Sequence, residues 1–81
     1  MTEQIQIDTN HQDLLKAIGN RVKELRTKRK IKINEICEAT KIHRNSYSQL
    51  EHGKTYFKIS ALLRILDYHN ITISEFFKTL K

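Results

Sequence analysis

The 81-residue sequence contains no proline and only two glycines, Gly19 and Gly53. Since these two residue types most often interrupt helices, their scarcity favours helices joined by short connections. A single cysteine, Cys37, excludes an internal disulfide. No stretch approaches the roughly 20 apolar residues of a membrane span, and residues 1–8 lack the apolar run and basic start of a signal peptide. We therefore expect a cytoplasmic protein without a membrane partner.

Basic residues outnumber acidic ones by 15 to 9, and the excess is local. Residues 21–58 hold 11 Lys and Arg against 4 Asp and Glu, whereas the rest of the chain holds 4 against 5. A local basic field attracts polyanions, of which nucleic acid is the commonest. Composition alone is equally compatible with a charged, solvated surface, so a nucleic-acid partner needs support from the pattern of side chains.

Clusters that support catalysis or metal binding are also missing. The four histidines, His11, His43, His52 and His69, do not pair at metal-ligand spacing. No Ser-His-Asp set or carboxylate pair stands out, and so short a chain has little room for a closed pocket. Cys37 lies on an apolar helix face, which favours a buried thiol over a redox sensor. We expect no enzyme activity, no cofactor, no metal and no small-molecule ligand.

Apolar periodicity predicts an all-α domain of five helices over residues 10–81, preceded by a flexible arm at residues 1–9. In the arm, Ile5 and Ile7 alternate with polar residues, so a short strand is the other interpretation. The first helix is predicted from about Asn10 to Lys28. Its apolar positions recur at helical spacing: Leu14, Leu15, Ile18, Val22 and Leu25.

Capping residues delimit the four shorter helices. The second carries Ile33, Ile36, Cys37 and Thr40 on one face, and the third runs from about His43 to His52 and stops at Gly53. The fourth spans Ile59 to His69, with Asn70 as a left-handed stop. Its inward residues are expected to be Ile59, Leu62, Leu63, Ile65 and Leu66. The fifth follows a capping box, Thr72-Ile73-Ser74-Glu75, which is typical of a helix start.

The third helix has an unusual polar face. At 100° per residue, Arg44, Asn45, Ser48, Gln49 and His52 fall within an arc of about 140°, with Tyr47 and Leu50 opposite. Solvated helix faces are usually rich in Glu and Lys, whereas Arg, Asn and Gln can each form two hydrogen bonds with a base edge. Arg suits guanine, and Asn and Gln suit adenine. A surface helix that is merely polar is the alternative interpretation.

The stretch from Ile18 to Phe77 resembles the phage-repressor helix-turn-helix family, of the Cro/cI-like or XRE type. The matching segments are IGNRVKELRTKRK, NEICEATKIHRNSYSQLEHGK and ISALLRILDYHNITISEFF. They occur in order and in register, and include a small residue at Cys37, an apolar turn residue at Ile42 and the Glu-x-Gly at residues 51–53. The resemblance implies a five-helix, lambda-repressor-like domain that binds double-stranded DNA.

By this resemblance, the third helix lies in the major groove and its base-reading residues are Arg44, Asn45, Ser48 and Gln49. Arg26 falls opposite Glu51, which implies a structural ion pair. Four features of the family pattern differ here: Ile33 replaces a phosphate-binding Gln, Lys32 a Ser or Thr cap, and Lys41 a turn Gly. Phe57-Lys58 replaces the Pro-Ser before the fourth helix. We therefore expect phosphates to be held by polar residues around the helix ends, namely Lys32, Asn34, Lys41, His43, His52, Lys54, Thr55, Tyr56 and Lys58.

The fifth helix carries an apolar pattern that predicts a homodimer. Ile73, Phe76, Phe77 and Leu80 follow the spacing i, i+3, i+4, i+7, and we expect Phe76 inside the monomer with Ile73, Phe77 and Leu80 at the dimer interface. The alternative is that all four close the monomer's own core. Two copies would repeat the base contacts on two half-sites of a palindromic operator. The predicted function is a transcriptional regulator of repressor or controller type. The alternative is an antitoxin-type protein that binds a partner protein and regulates its own gene through the same helix-turn-helix.

Overall fold

A computed structural model describes residues 4–80, with side chains described from His11 to Leu80. This range forms five helices and no strand: α1 (Gln4–Lys28), α2 (Ile33–Thr40), α3 (Arg44–His52), α4 (Ile59–His69) and α5 (Ile73–Lys78). The predicted all-α class with five helices is confirmed. The bounds of α4 agree with the sequence expectation, and α3 begins one residue later than expected because His43 serves as its cap.

The first helix is longer than the sequence pattern suggested. It begins at Gln4, whereas the predicted start was Asn10. Residues 4–9, expected to belong to a flexible arm, are therefore helical, and residues 1–3 of that arm lie outside the described residues. Thr and Asn often cap helix starts, which makes Thr9 and Asn10 potential caps. No proline or glycine precedes Gly19, so nothing in the local sequence forces the helix to start there.

Four of the connections contain a residue with left-handed backbone: Lys30, Lys41, Gly53 and Asn70, with φ between 57° and 65°. In each case the following residue donates its N–H to a carbonyl five residues earlier, as Ile42 does to Cys37 at 3.2 Å. This bond satisfies carbonyls that a helix end leaves without a partner. The predicted stops at Gly53 and Asn70 are confirmed, as is the capping box of Thr72 and Glu75.

One hydrophobic core joins the helices. Its most deeply buried side chains are Ile18, Val22, Ile36, Tyr47, Leu50, Leu62, Ile65, Leu66 and Phe76. Two residues of α4 were placed wrongly by the sequence pattern, because Ile59 and Leu63 are exposed and not inward. The apolar stripe of α4 is wider than the surface that its neighbours cover, so only the side with Leu62, Ile65 and Leu66 is buried.

The two glycines lie where α1 crosses α3. A Cβ on Gly19 would be 2.4 Å from the carbonyl oxygen of Glu51, and one on Gly53 would be 2.6 Å from the Cα of Lys16. Both distances are to backbone atoms, which cannot rotate away as a side chain can. The absence of side chains at Gly19 and Gly53 therefore lets the backbone of α1 approach the end of α3 and fixes where α3 lies.

Candidate nucleic-acid interface

The turn between α2 and α3 holds the two helices at a fixed angle. Lys41 takes the left-handed conformation directly after α2, with φ 62° and ψ 34°. Ile42 is buried in the core and anchors the turn. His43 is extended, and its Nδ1 accepts a hydrogen bond from the Asn45 N–H at 3.3 Å. The chain thus leaves α2, inserts one apolar side chain and begins α3 with a capped first turn.

The left-handed turn leads to a testable expectation at Lys41. Left-handed backbone disfavours residues with a Cβ by roughly 1–2 kcal/mol, and the greater unfolded-state freedom of glycine offsets part of that difference. Lys41→Gly should therefore raise the free energy of unfolding by about 0.5–1 kcal/mol. Lys41→Ala, which keeps a Cβ, is the control and should give no such gain. Denaturant unfolding of both variants makes the comparison, and equal stabilities for the two would contradict a left-handed strain here.

The two faces of α3 differ sharply in exposure. Tyr47, Leu50 and Glu51 are buried against the rest of the domain. On the other side Arg44, Asn45 and Gln49 are exposed, and Ser48 is half-buried. The expected opposition of an apolar face with Tyr47 and Leu50 to a polar face is confirmed. The helix therefore presents one arginine and two amide side chains to solvent, while its opposite face is packed firmly against the domain.

An ion pair ties α1 to the end of α3. Arg26 Nε donates to Glu51 Oε2 at 2.6 Å, and Arg26 Nη2 donates to Glu51 Oε1 at 3.2 Å. The two side chains are only 12% and 4% exposed. Arg26 Nη1 also donates to the Ile31 carbonyl at 2.9 Å, so this guanidinium spans three segments. The hydrogen bond to Glu51 raises the pKa of Arg26 above its usual value, which keeps the guanidinium charged.

Tyr47 occupies the space beside this pair. Its hydroxyl is fully buried and has no hydrogen-bond partner within the described part of the chain. Burial, reinforced by the nearby Glu51 carboxylate, raises the pKa of the Tyr47 hydroxyl far above its usual value. Tyr47 is therefore neutral at every physiological pH and acts as a large packing residue under the exposed face of α3.

Two of the expected base-reading side chains are held by polar neighbours. Arg44 Nη1 donates to Asn34 Oδ1, on α2, at 2.7 Å. Gln49 Oε1 accepts from the Thr55 hydroxyl, in the loop after α3, at 3.3 Å. The sequence pattern did not foresee either contact, because each joins residues from different elements. These bonds limit the conformations of Arg44 and Gln49 before any ligand binds.

The nine residues expected to hold phosphates are all exposed. They lie immediately before and at the start of α2, in the turn, at the end of α3 and in the loop that follows: Lys32, Asn34, Lys41, His43, His52, Lys54, Thr55, Tyr56 and Lys58. Some already have partners inside the protein. The Nδ1 of His52 bonds the Ser48 carbonyl at 2.7 Å, and the Tyr56 hydroxyl lies 3.1 Å from His11 Nδ1. His11, which was not among the expected site residues, thus joins α1 to this loop.

The apolar residues of α5 and the segment after it, some of which were expected at a dimer interface, differ in how far they are buried. Phe76 is buried inside the monomer, as expected, whereas Ile73 and Phe77 are exposed on the same side of α5. Leu80 is half-buried and packs against the monomer's own core. Next to it, Arg21 Nε donates to the Thr79 hydroxyl at 3.0 Å, which holds this segment against α1. Of these four residues, Ile73 and Phe77 are therefore the ones that present exposed apolar surface.

From His11 to Leu80, the remaining titratable side chains show no arrangement for metal chemistry. Among the described residues, no group of three or more His, Cys, Asp or Glu side chains could hold a metal ion. Cys37 is buried, and burial raises the pKa of its thiol, which keeps it protonated. His69 is also buried, and its Nδ1 lies 3.2 Å from Arg29 Nη1, which can only donate. Burial and this cation lower the pKa of His69, so the ring is neutral and structural.

Within residues 4–80, none of the helices combines the length and the apolar character needed to cross a membrane. The long helix α1 has charged residues along most of its length.

The short capped turn, the buried face of α3 and its exposed Arg and amide side chains define a helix-turn-helix DNA-binding domain. Comparison with protein families supports this assignment directly: the model of the family described as "Helix-turn-helix domain", which is XRE-like, matches residues 19–80. The chain belongs to this family. No curated protein matches the sequence.

Proposed function

We propose that the protein is a cytoplasmic transcriptional regulator, of repressor or controller type, that binds a palindromic operator as a homodimer. The observation that carries this proposal is the exposed set of Arg44, Asn45 and Gln49 on a helix whose opposite face is locked to the domain. The role is one of binding and not catalysis, and it needs no cofactor or small-molecule ligand.

Base reading rests on the outward side chains at the start and middle of α3. An α-helix fits into the major groove, where each base pair shows a distinct pattern of donors and acceptors. Arg44 keeps donors on Nη2 and Nε when its Nη1 is bonded to Asn34, which is enough for the two acceptors of a guanine. Asn45 and Gln49 offer amides to neighbouring bases, and the half-buried Ser48 adds a hydroxyl beside them.

Selection of bound sequences from random duplex DNA tests this assignment. Replacement of Arg44, Asn45 or Gln49 by alanine should weaken binding to the selected site by about 1–3 kcal/mol, because each bidentate base contact discriminates by that amount. Each variant should also relax preference at one base position. If the variants instead weakened binding equally on all duplexes, the three residues would not be base readers.

Phosphate binding rests on the exposed residues around the helix ends. Lys32 and Asn34 lie at the start of α2, Lys41 and His43 in the turn, and His52 at the end of α3. The loop adds Lys54, Thr55, Tyr56 and Lys58. These positions border the reading helix on both sides, where the two phosphate backbones of a major groove pass. Lysine side chains and backbone N–H groups there give affinity and register but no sequence information.

Each lysine that holds a phosphate contributes to the salt dependence of binding. Lys32→Ala, Lys41→Ala, Lys54→Ala and Lys58→Ala should each lower the slope of log K against log salt by about one unit without changing base preference. Lys23→Ala removes the same charge from a groove of α1 beside the carboxyl-terminal segment and is the control, with an unchanged slope. An unchanged slope in all four variants would refute the phosphate assignment.

Dimer formation rests on the exposed apolar pair of α5. One reading helix contacts few base pairs, and a monomer with three readers would discriminate poorly among the many sites of a genome. Ile73 and Phe77 are one helical turn apart and are 41% and 39% exposed. A two-fold contact through this pair would bury both and repeat the readers on two half-sites about one helical turn apart.

Sedimentation of the free protein at micromolar concentration tests the dimer. The wild type should sediment as a dimer, and the double variant Ile73→Ser/Phe77→Ser as a monomer. Leu63→Ser on α4 is a matched control, because Leu63 is equally exposed at 42% and should leave the dimer intact. A wild type that is a clean monomer, and binds a palindromic site without cooperativity, would remove the dimer from the proposal.

A further inference from the structure

We propose that Thr55 determines which base Gln49 reads, by fixing the Gln49 side chain as a hydrogen-bond donor. Thr55 lies in the loop after α3, outside the helix that holds the readers. The inference rests on the proposed function and adds a specificity-determining residue to it. In this role Thr55 is a positioning residue that acts through Gln49.

The backbone brings the two side chains together. Gly53 takes the left-handed conformation after α3, and the chain folds back so that the Lys54 N–H bonds the Gln49 carbonyl at 3.3 Å. The next residue is Thr55, and its hydroxyl donates to Gln49 Oε1, also at 3.3 Å. The side-chain contact is therefore set by the same turn that ends the helix. A different conformation of the loop would separate them.

The bond has a consequence for base recognition because the two ends of an amide differ. Glutamine has an oxygen that accepts and an NH2 group that donates twice. With Oε1 held toward Thr55, the NH2 group is the part of the amide that remains for a base, and it can only donate. Reading adenine uses both ends, since N6–H2 donates and N7 accepts, whereas guanine presents two acceptors, O6 and N7. A Gln49 amide that presents its NH2 group therefore fits guanine, whose O6 and N7 both accept, better than adenine, which also needs Oε1 turned toward its N6–H2 group.

The same bond excludes another use of the Thr55 hydroxyl. A hydroxyl has one proton to donate, and phosphate oxygens only accept. While the Thr55 hydroxyl donates to Gln49, it cannot donate to a phosphate, although the Thr55 backbone N–H remains able to do so. The two roles of the hydroxyl thus exclude each other and have different consequences for binding, since a phosphate contact is independent of sequence.

Selection from random duplex DNA with six proteins tests the inference: the wild type, Thr55→Val, Thr55→Ser, Thr27→Val, Gln49→Ala and the double variant Gln49→Ala/Thr55→Val. Thr55→Val keeps the shape of the side chain and removes its hydroxyl, whereas Thr55→Ser keeps the hydroxyl. Thr27 donates its hydroxyl to the Lys23 carbonyl within α1, so Thr27→Val controls for loss of a helical hydroxyl. The base position read by Gln49 is identified as the one that Gln49→Ala relaxes.

The wild type should select guanine at the Gln49 position, and Thr55→Ser and Thr27→Val should select it too. In Thr55→Val the ratio of guanine to adenine at that position alone should fall on the order of tenfold, the scale of a single base contact. In a Gln49→Ala background, Thr55→Val should have no further effect on that ratio.

Three results would overturn the inference: adenine preferred by the wild type at that position, no change in Thr55→Val, or equal weakening of Thr55→Val on all sequences. The last of these would identify the hydroxyl as a phosphate contact. A wild type that selected no sequence at all would overturn the proposed function as well, so failure of the two is distinguishable.

Discussion

Gly19→Ala should destabilise the domain by about 2 kcal/mol or more, although alanine is the better helix former. In an exposed helix the change would gain about 1 kcal/mol. Here the new Cβ would be 2.4 Å from the Glu51 carbonyl oxygen and 2.5 Å from that of Leu50, both backbone atoms of α3. Overpacking of this kind typically costs about 1–3 kcal/mol and sometimes more, and the alternative is that α1 and α3 separate.

The neighbouring residue provides the control for Gly19. Asn20 is exposed on the same helix, so Asn20→Ala should leave stability unchanged or slightly increased. Thermal and denaturant unfolding give the comparison. Because the crossing also sets the position of α3, Gly19→Ala should weaken DNA binding even under conditions where it remains folded. A Gly19→Ala protein as stable as Asn20→Ala would show that the two backbones are not in close contact.

Glu51→Ala should reduce the free energy of unfolding by about 3–5 kcal/mol, because it leaves the Arg26 cation buried without its anion. The loss is large for a domain of this size, whose whole stability is expected to be about 4–12 kcal/mol. Arg26 would retain only the Ile31 carbonyl as an acceptor. Glu51→Gln keeps the shape and one acceptor oxygen, so it should lose less than Glu51→Ala.

The chain contains a natural comparison for this buried pair. Arg21 and Glu24 form an ion pair at 3.2 Å, but the Glu24 side chain is 65% exposed. Glu24→Ala should therefore change stability by less than about 1 kcal/mol, as is usual for surface pairs. Equal effects of Glu24→Ala and Glu51→Ala in chemical unfolding would mean that Arg26 and Glu51 do not form a buried pair.

Much of the helical framework could be predicted because local sequence determines helix ends. Gly53 and Asn70 favour left-handed backbone, and Thr72 with Glu75 satisfies the first N–H groups of α5. The start of α1 could not be predicted in this way. Thr9 and Asn10 are residue types that commonly cap helices, but α1 continues through them because no proline or glycine precedes them.

Burial was harder to predict than helix position. Periodicity shows that Ile59 and Leu63 belong to an apolar stripe, but exposure depends on which neighbours cover that stripe. Leu80 shows the opposite effect, because the segment after α5 returns to the core and half-buries it. In both cases the deciding contacts are between elements distant in sequence, and a pattern within one helix contains no information about them.

At the candidate interface, the outward direction of Arg44, Asn45 and Gln49 follows from helix geometry alone, since one face of α3 is apolar. Helix geometry does not predict the contacts of Arg44 with Asn34 and of Gln49 with Thr55, because these contacts depend on how α2 and the following loop pack against α3. The close crossing at Gly19 had one indication in the sequence. Glycine lowers the stability of a helix interior, so a glycine within a helix suggests a close contact with another segment.

Methylation interference on the selected operator tests most directly that α3 reads the major groove. Dimethyl sulfate methylates guanine N7, which lies in the major groove, and adenine N3, which lies in the minor groove. We expect guanine N7 methylation in each half-site to block binding, and Arg44→Ala to abolish the interference at one guanine per half-site. Interference confined to adenine N3, or a guanine pattern unchanged by Arg44→Ala, would contradict the account.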